Sequence, residues 1–298
     1  MANVVLIGNQ LTAFDCIEFD PALRWIDVMN DVAFLTMDLS AHGRRDLAFR
    51  FLDVYLQHSG DYAGLAVLRV YEVYRALVRA SVAGLRRHSL GEHESGDPDY
   101  LTCAEALAIR NPRVAPRLLI THGVSGSGKS TLATELLEIA GAIRIRSDVE
   151  RKRLFGLAPA QRSDHHGKDI YTPEATGATF ERLAACARMA LQAGHPVIVD
   201  AAFLRVDERR VFRTLAAELR VPFSILHCEA AEVRLRERVA TRLDRGTDAS
   251  EANLAVLAHQ LSTYEPLDEA ERAMALKVST DEPLDVPSLL ARWFAIAP

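Results

Sequence analysis

Residues 123–131 read Gly-Val-Ser-Gly-Ser-Gly-Lys-Ser-Thr and satisfy the spacing G-x-x-x-x-G-K-[ST], with Gly123, Gly128, Lys129 and Ser130 in the fixed places. Glycines let the backbone curl until successive N–H groups face one point, which suits an anion. The lysine brings a mobile positive charge. The Ser130 hydroxyl is a small oxygen donor of the kind a hard divalent cation takes. The flanks supply the setting such a loop needs: Arg117-Leu-Leu-Ile-Thr-His122 has the character of a buried strand, and the residues from Ser130 onward carry a helical pattern. Strand, loop and helix together place Gly123, Ser125, Gly126, Ser127, Gly128, Lys129, Ser130 and Thr131 around a phosphate at the positive end of a helix. ATP with Mg²⁺ is the ligand this implies. No Asn-Lys-x-Asp base-reading segment is present to favour GTP.

The pattern around the loop repeats. Short apolar runs near 117–122, 142–146, 196–200, 222–227 and 275–278 alternate with helical stretches. Such alternation predicts an α/β fold on a parallel sheet with right-handed crossovers, and with the phosphate loop after its first strand the expected architecture is a P-loop NTPase three-layer sheet. Predicted helices include 172–193, a segment from Asp207 to Leu219 capped by Asp207, one from Ser250 or Glu251 to about Thr263, and one from Asp285 to Ile296.

The first third reads differently. Asn3–Ile7 and Leu11–Phe14 flank Gly8-Asn9-Gln10, a hairpin signal. Helices are expected over 23–38, 45–57 and 65–85, the last with Ala66, Val70, Val73, Leu77 and Ala80 on one face. Residues 86–99 read as a polar loop and 100–109 as a short helix. Asn111-Pro-Arg-Val-Ala-Pro116 is a linker, dividing a mostly helical domain with a short hairpin (1–110) from the phosphate-loop domain (113–298).

In an open parallel sheet, ligands bind beyond the carboxyl ends of the strands. Asp148 and Arg151 follow the second such strand, Asp148 suited to take a proton from a hydroxyl and Arg151 to meet a substrate or phosphoryl group. Ser147 with Glu150 also fits a helix capping box. Pro196-Val-Ile-Val-Asp200 ends a buried strand in a carboxylate, so Ser130 and Asp200 are the candidate Mg²⁺ ligands. Arg234, Arg238, Arg242 and Arg245 make one helical stripe, from which Arg242 and Arg245 are expected to neutralise developing phosphoryl charge, with Lys129, Asp148 and Arg151 completing the catalytic set. Residues 156–172 form a long polar loop suited to a lid. His165 and His166 within it read as solvated, as do His88 and His93.

Of 298 residues, 49% are hydrophobic and 25% charged, no apolar run is long enough to span a bilayer, and the start lacks a signal-peptide pattern. Four scattered cysteines without C-x-x-C argue against zinc or a disulfide framework and fit a cytoplasmic setting. A net charge of −5 speaks against a broad nucleic-acid surface.

Two resemblances add to this. Asn3, the hairpin, Asp15 and the segments Arg24–Val28 and Asp31–Phe34 resemble the metal-binding part and helical lobe of the aminoglycoside phosphotransferase family. That family's His-Gly-Asp catalytic loop would precede Asn3, and its small lobe is missing, so residues 1–90 are expected to be a truncated lobe without phosphotransfer of its own. It could serve as a scaffold or a homodimer contact. The phosphate loop, Asp148 with Arg151, Val-Ile-Val-Asp200 and Arg245-Gly-Thr look like P-loop kinases of the polynucleotide-kinase, zeta-toxin and gluconate-kinase group. That resemblance implies a general base at Asp148, phosphate assistance from Arg151, and an ATP-dependent kinase acting on a hydroxyl of a small molecule. A polynucleotide 5′-hydroxyl acceptor and a regulatory nucleotide-binding ATPase are the alternatives.

Overall fold

The structure, a computed structural model, describes residues 4–13, 25–90, 98–109, 115–163, 170–245 and 248–296. The chain opens with strands β1 (Val4–Ile7) and β2 (Gln10–Ala13) and helices α1 (Val28–Ala41), α2 (Arg45–Ser59), α3 (Leu65–Leu90) and α4 (Tyr100–Ala108). Then come β3 (Leu118–His122), α5 (Lys129–Ala140), β4 (Ile143–Arg146), α6 (Ser147–Leu154), α7 (Pro173–Gln192) and β5 (Val197–Asp200). The remainder is α8 (Val206–Leu219), β6 (Phe223–Glu229), α9 (Glu232–Arg245), α10 (Leu254–Thr263), α11 (Glu269–Ala273), β7 (Ala275–Ser279) and α12 (Val286–Ala295). Two compact units result: Met1–Arg44 with Val67–Ile109, and Arg45–Ala66 with Arg110–Pro298.

In the first unit, Ile7 pairs with Gln10, so Gly8-Asn9 is a two-residue turn, with Gly8 at φ +62°. Asp27 caps α1 through Met29 N. Asn3 and Asp15, the residues behind the phosphotransferase resemblance, lie outside the described residues. The core gathers Met37, Ala76, Tyr100 and Ala104, and the Tyr100 hydroxyl donates to Asp38 at 2.8 Å. The face expected on α3 is not the buried one: Val70 and Leu77 are exposed, whereas Leu68 and Ala76 are buried. Apolar spacing alone does not tell which side of a helix with apolar residues on several faces meets a neighbour.

The second unit is built on a five-stranded parallel sheet of order β4-β5-β3-β6-β7. Helices α2, α5 and α12 lie on one face, α7 and α8 on the other. Buried parallel strands have no solvent side, and β3, β5 and most of β6 are correspondingly apolar. The core on the α5 side joins Leu119, Leu136, Leu137, Ile198, Leu226, Leu276 and Trp293. α2 belongs to this unit although it precedes the 111–116 linker in sequence.

Three expected helix starts are replaced. Ser147 is the first helical residue of α6, not a cap, and Glu150 is fully buried, where its carboxylate accepts from Arg153 (3.3 Å), Arg182 (3.1 Å) and the Tyr62 hydroxyl (3.4 Å). α8 starts at Val206, one residue before Asp207. Glu208 accepts from Arg205 N at 3.2 Å, while Asp207 pairs with Arg210 on the exposed side. Asn253 caps α10 through Val256 N. Glu251 instead accepts from Ser163 N at 2.9 Å and Lys152 Nζ at 3.0 Å. For Glu150 and Glu251 a tertiary partner outcompetes the local one, whereas at α8 the local cap passes from Asp207 to Glu208.

A buried ion pair fixes the loops beyond β5. Arg209, 1% exposed, donates to both Glu271 oxygens (2.7 and 2.9 Å) and to the carbonyls of Phe203, Glu265 and Pro266. Removing one partner of such a pair leaves an uncompensated charge, so Glu271→Ala is expected to lower stability by about 3–5 kcal/mol in urea unfolding.

Candidate functional site

The loop between β3 and α5 takes glycine-favouring positive φ angles at Gly123, Gly126 and Gly128, the last at +82°. Gly126 has φ +84°, and a Cβ there would lie 2.7 Å from the Leu235 carbonyl oxygen. At Gly123, φ +143°, a Cβ would lie 2.5 Å from the Cys228 carbonyl oxygen. Backbone oxygens cannot retreat as a side chain can, so any larger residue displaces α9 or β6. The loop's carbonyls are taken from outside. Arg238 Nη1 donates to Gly126 O (3.2 Å) and to Thr280 Oγ1 (2.8 Å), and Thr280 Oγ1 donates to Ser127 O (3.1 Å). Three loop amides are engaged: Gly123 N donates to Ala202 O at 3.1 Å and Ser127 N to Val124 O at 3.2 Å, while Ser125 N donates to the Gln260 side-chain oxygen at 2.8 Å. Gln260 stands on α10, whose Leu257 and Leu261 pack with Leu235 and Val239 of α9 and with Val124 of the loop.

Lys129 Nζ donates to Val124 O at 2.9 Å. Burial pushes its ammonium below the ordinary lysine value, against the pull of Asp200. The Ser130 hydroxyl donates to Asp200 Oδ1 at 3.1 Å. Asp200 Oδ2 is buried without a hydrogen-bond partner, with Arg144 Nη1 and Arg146 Nε each 3.8 Å away. Arg146 stands directly opposite Asp200 in the parallel pairing of β4 and β5. Burial works against the Arg146 charge, but Asp200, Asp248 and Asp148 more than offset it and hold the group above its ordinary value. An open carboxylate oxygen beside a hydroxyl fits a hard cation that takes most of its ligands from water and phosphate.

Beyond β4, Asp148 is half-buried, and among the described residues its carboxylate makes no hydrogen bond. Its charge acts on Lys129, Arg146, Arg151 and Tyr171. The Arg151 guanidinium is itself engaged. Its Nη1 donates to Ile170 O (2.9 Å) and Thr176 Oγ1 (3.2 Å), and it lies 5.2 Å from the Tyr171 ring centroid. Burial lowers Arg151 below the usual arginine value, with Asp148 the main opposing charge. Burial, Asp148 and Glu251 together raise the Tyr171 phenol well above its usual range.

The arginine stripe of α9 divides by environment. Arg234 is exposed and pairs with Glu237, whereas Arg238 braces the loop. Arg242 donates from Nη2 to Ala252 O at 3.1 Å, its Nε is buried without a partner, and its charge acts on Lys129. The Arg245 side chain, Gly246-Thr247 and His165-His166 lie outside the described residues. The structure thus groups Lys129, Ser130, Asp148, Asp200 and Arg242 about the carboxyl ends of the strands. It adds Gln260, Thr280, Arg144 and Arg146, which the sequence reading did not single out. Only the arginines left a signal: charged residues alternating with Ile in an otherwise buried strand.

Below the loop, His122 (β3) and His227 (β6) stack with centroids 4.7 Å apart and Nδ1 atoms 2.6 Å apart. His227 Nε2 lies 2.7 Å from Glu229 Oε1. Assigned from this network, His227 donates to Glu229 and accepts from His122 Nδ1–H, leaving His122 Nε2 a buried lone pair. Burial first, then His227, Arg209 and Lys129, push His122 down to about 3. The folded state then binds fewer protons than the unfolded chain between that value and the ordinary histidine pKa of about 6.5. This group's stabilisation is complete above about pH 6.5 and is lost as pH falls toward 3, at up to about 1.4 kcal/mol per pH unit. His122→Asn is expected to remove that part of the slope in urea unfolding measured between pH 4 and 6.

Gln260→Glu would put an anion on the amide a phosphate needs. Nucleotide affinity is expected to fall about tenfold by fluorescence titration, with Gln260→Ala unchanged or tighter.

Residues 118–267 match the AAA_33 family, described as an AAA domain. The uncharacterized protein Rv2004c of Mycobacterium tuberculosis is 31% identical over 273 residues, covering 88% of this chain and 53% of its own length. The chain therefore spans about half the length of the curated relatives it matches. Among solved structures it is similar to a gluconokinase from Sinorhizobium meliloti 1021 (23% identity, 61% of this chain, 91% of that one, TM-score 0.39). It is also similar to Kti12 of Chaetomium thermophilum in complex with ADP-AlF3 (19% identity, 61% of this chain, 100% of that one, TM-score 0.48).

Proposed function

The chain belongs to the AAA_33 family, and we propose that its second unit is an ATP-dependent kinase that transfers the γ-phosphoryl group to an acceptor hydroxyl. The observation that carries this reading is Asp148: a half-buried carboxylate beyond the strand ends, acting on Lys129 and Arg146 and holding no hydrogen bond among the described residues. Simple nucleotide binding has no use for a carboxylate there. In transfer, the acceptor oxygen bonds to the γ-phosphorus as the bond to the leaving ADP breaks, and Asp148 takes the hydroxyl proton. Lys129 and Arg242 face the charge spread over the phosphoryl oxygens. Ser130 and Asp200 would hold Mg²⁺, whose part is to neutralise and orient the phosphates. Arg151 keeps residues 170–176 against α6, shaping the acceptor side.

A small hydroxylated acceptor suits the net charge of −5, and a polynucleotide 5′ end needs only its terminus to enter. The second reading, a nucleotide switch without acceptor, draws on the Gln260 side chain on the Ser125 amide, a contact that phosphate would have to replace.

Incubation with γ-labelled ATP, Mg²⁺ and a panel of 5′-hydroxyl oligonucleotides, nucleosides, sugars and aminoglycosides separates these. The kinase reading expects label on one acceptor class, a loss of about 10²–10⁴ in kcat for Asp148→Ala, and no nucleotide binding by Lys129→Ala. Hydrolysis indifferent to Asp148, with no labelled acceptor, would leave the switch reading.

A further inference from the structure

We infer that Asp53 and Gln57 of α2 are positioning residues for the metal site: they hold Arg144 and Arg146 away from Asp200, so that its second oxygen stays available to the nucleotide's divalent cation. The inference rests on the reading of Ser130 and Asp200 as the metal-binding pair, and not on the identity of the acceptor.

Two guanidinium groups stand 3.8 Å from Asp200 Oδ2, yet neither hydrogen-bonds to it. A free arginine this near a buried carboxylate would close the gap, because a charge-assisted hydrogen bond in a dry setting is strong. Part of what holds each arginine back is on α2. Asp53 accepts from Arg144 at both ends, Oδ1 from Nε (3.2 Å) and Oδ2 from Nη2 (2.7 Å). Gln57, one turn on, donates from Nε2 to Asp53 Oδ2 (2.7 Å) and accepts at Oε1 from Arg146 Nη1 (3.4 Å). The two α2 side chains thus form one clamp across both arginines.

The far sides are fixed as well. Arg144 Nη1 donates to Thr134 Oγ1 (2.6 Å) and Ser130 O (3.3 Å), and Arg146 Nη2 to Asp248 Oδ1 (2.8 Å). Arg144 is therefore bonded to the first two turns of the loop helix while standing 3.8 Å from Asp200 Oδ2. Asp53 and Arg144 are both buried, so the clamp acts with little screening by solvent. The clamp comes from residues 45–59, outside the 118–267 segment that the AAA_33 family covers. This also accounts for why α2 packs with the second unit.

The test is binding of a fluorescent ATP analogue titrated with MgCl₂, set beside the same binding in EDTA, for wild type, Asp53→Asn and Gln57→Leu. Circular dichroism verifies folding. Asp53→Asn frees the Arg144 charge to close on Asp200, so the Mg²⁺ concentration for half-saturation is expected to rise about tenfold, and about threefold for the milder, partly exposed Gln57→Leu, with affinity in EDTA unchanged. Gln57→Leu carries the test if Asp53→Asn does not fold. Folded variants with wild-type Mg²⁺ dependence, or with affinity lost equally in Mg²⁺ and EDTA, would overturn the inference. A wild type insensitive to Mg²⁺ would overturn the metal-pair reading beneath it.

Discussion

The hydrogen bond from Ser130 to Asp200 ties the phosphate loop to the strand beside it, and the remaining site geometry is arranged from that contact. It exists because β3 and β5 are parallel neighbours, which brings the end of one strand and the loop after the other to the same edge. The loop reaches that edge only because Gly123 and Gly126 accept backbone angles and close approaches that a side chain would forbid. A buried hydroxyl–carboxylate pair with one oxygen unclaimed is costly unless something polar completes it. That cost is what points to a cation and phosphates as the missing partners.

Around this centre the molecule uses buried arginines as fixtures. Arg238 ties the loop carbonyls to Thr280, Arg144 joins α2 to the loop helix, and Arg209 pins the segments after β5 and α10. Arg144 and Arg209 each donate from all three guanidinium nitrogens and Arg238 from both Nη atoms, a planar fork that a lysine could not reproduce. Such pairs add little net stability over apolar packing, but they specify one arrangement and make its loss expensive. Gln260 differs from these fixtures. A single neutral hydrogen bond to the Ser125 amide is weak enough for a phosphate to displace. Its helix packs on α9, which carries Arg238 and Arg242, so the state of the loop and the position of the arginine helix are mechanically joined.

The sheet and its order of elements were legible in the sequence because buried parallel strands read as unbroken apolar runs. All five strands fall within about two residues of their expected ends. The loop, Ser130 and Asp200 were legible because their chemistry is local and spaced. What stayed hidden depends on contacts between distant residues. Glu150 reads as half of a capping box until Arg153 and Arg182 claim it. Asp53 reads as the polar face of an amphipathic helix, and nothing near residue 53 announces Arg144. On α3, apolar residues on more than one side left the buried face undetermined, and Val70 and Leu77 proved exposed. Gln260 is separated from Ser125 by more of the chain than any periodic pattern can bridge.

A crystal structure with a non-hydrolysable ATP analogue and Mg²⁺ tests the central claim most directly. The account predicts phosphates on the amides of residues 123–131, the metal between Ser130 and Asp200, and Gln260 withdrawn from Ser125. A nucleotide bound elsewhere, with Gln260 still on that amide and Asp200 paired directly to Arg144, would contradict it.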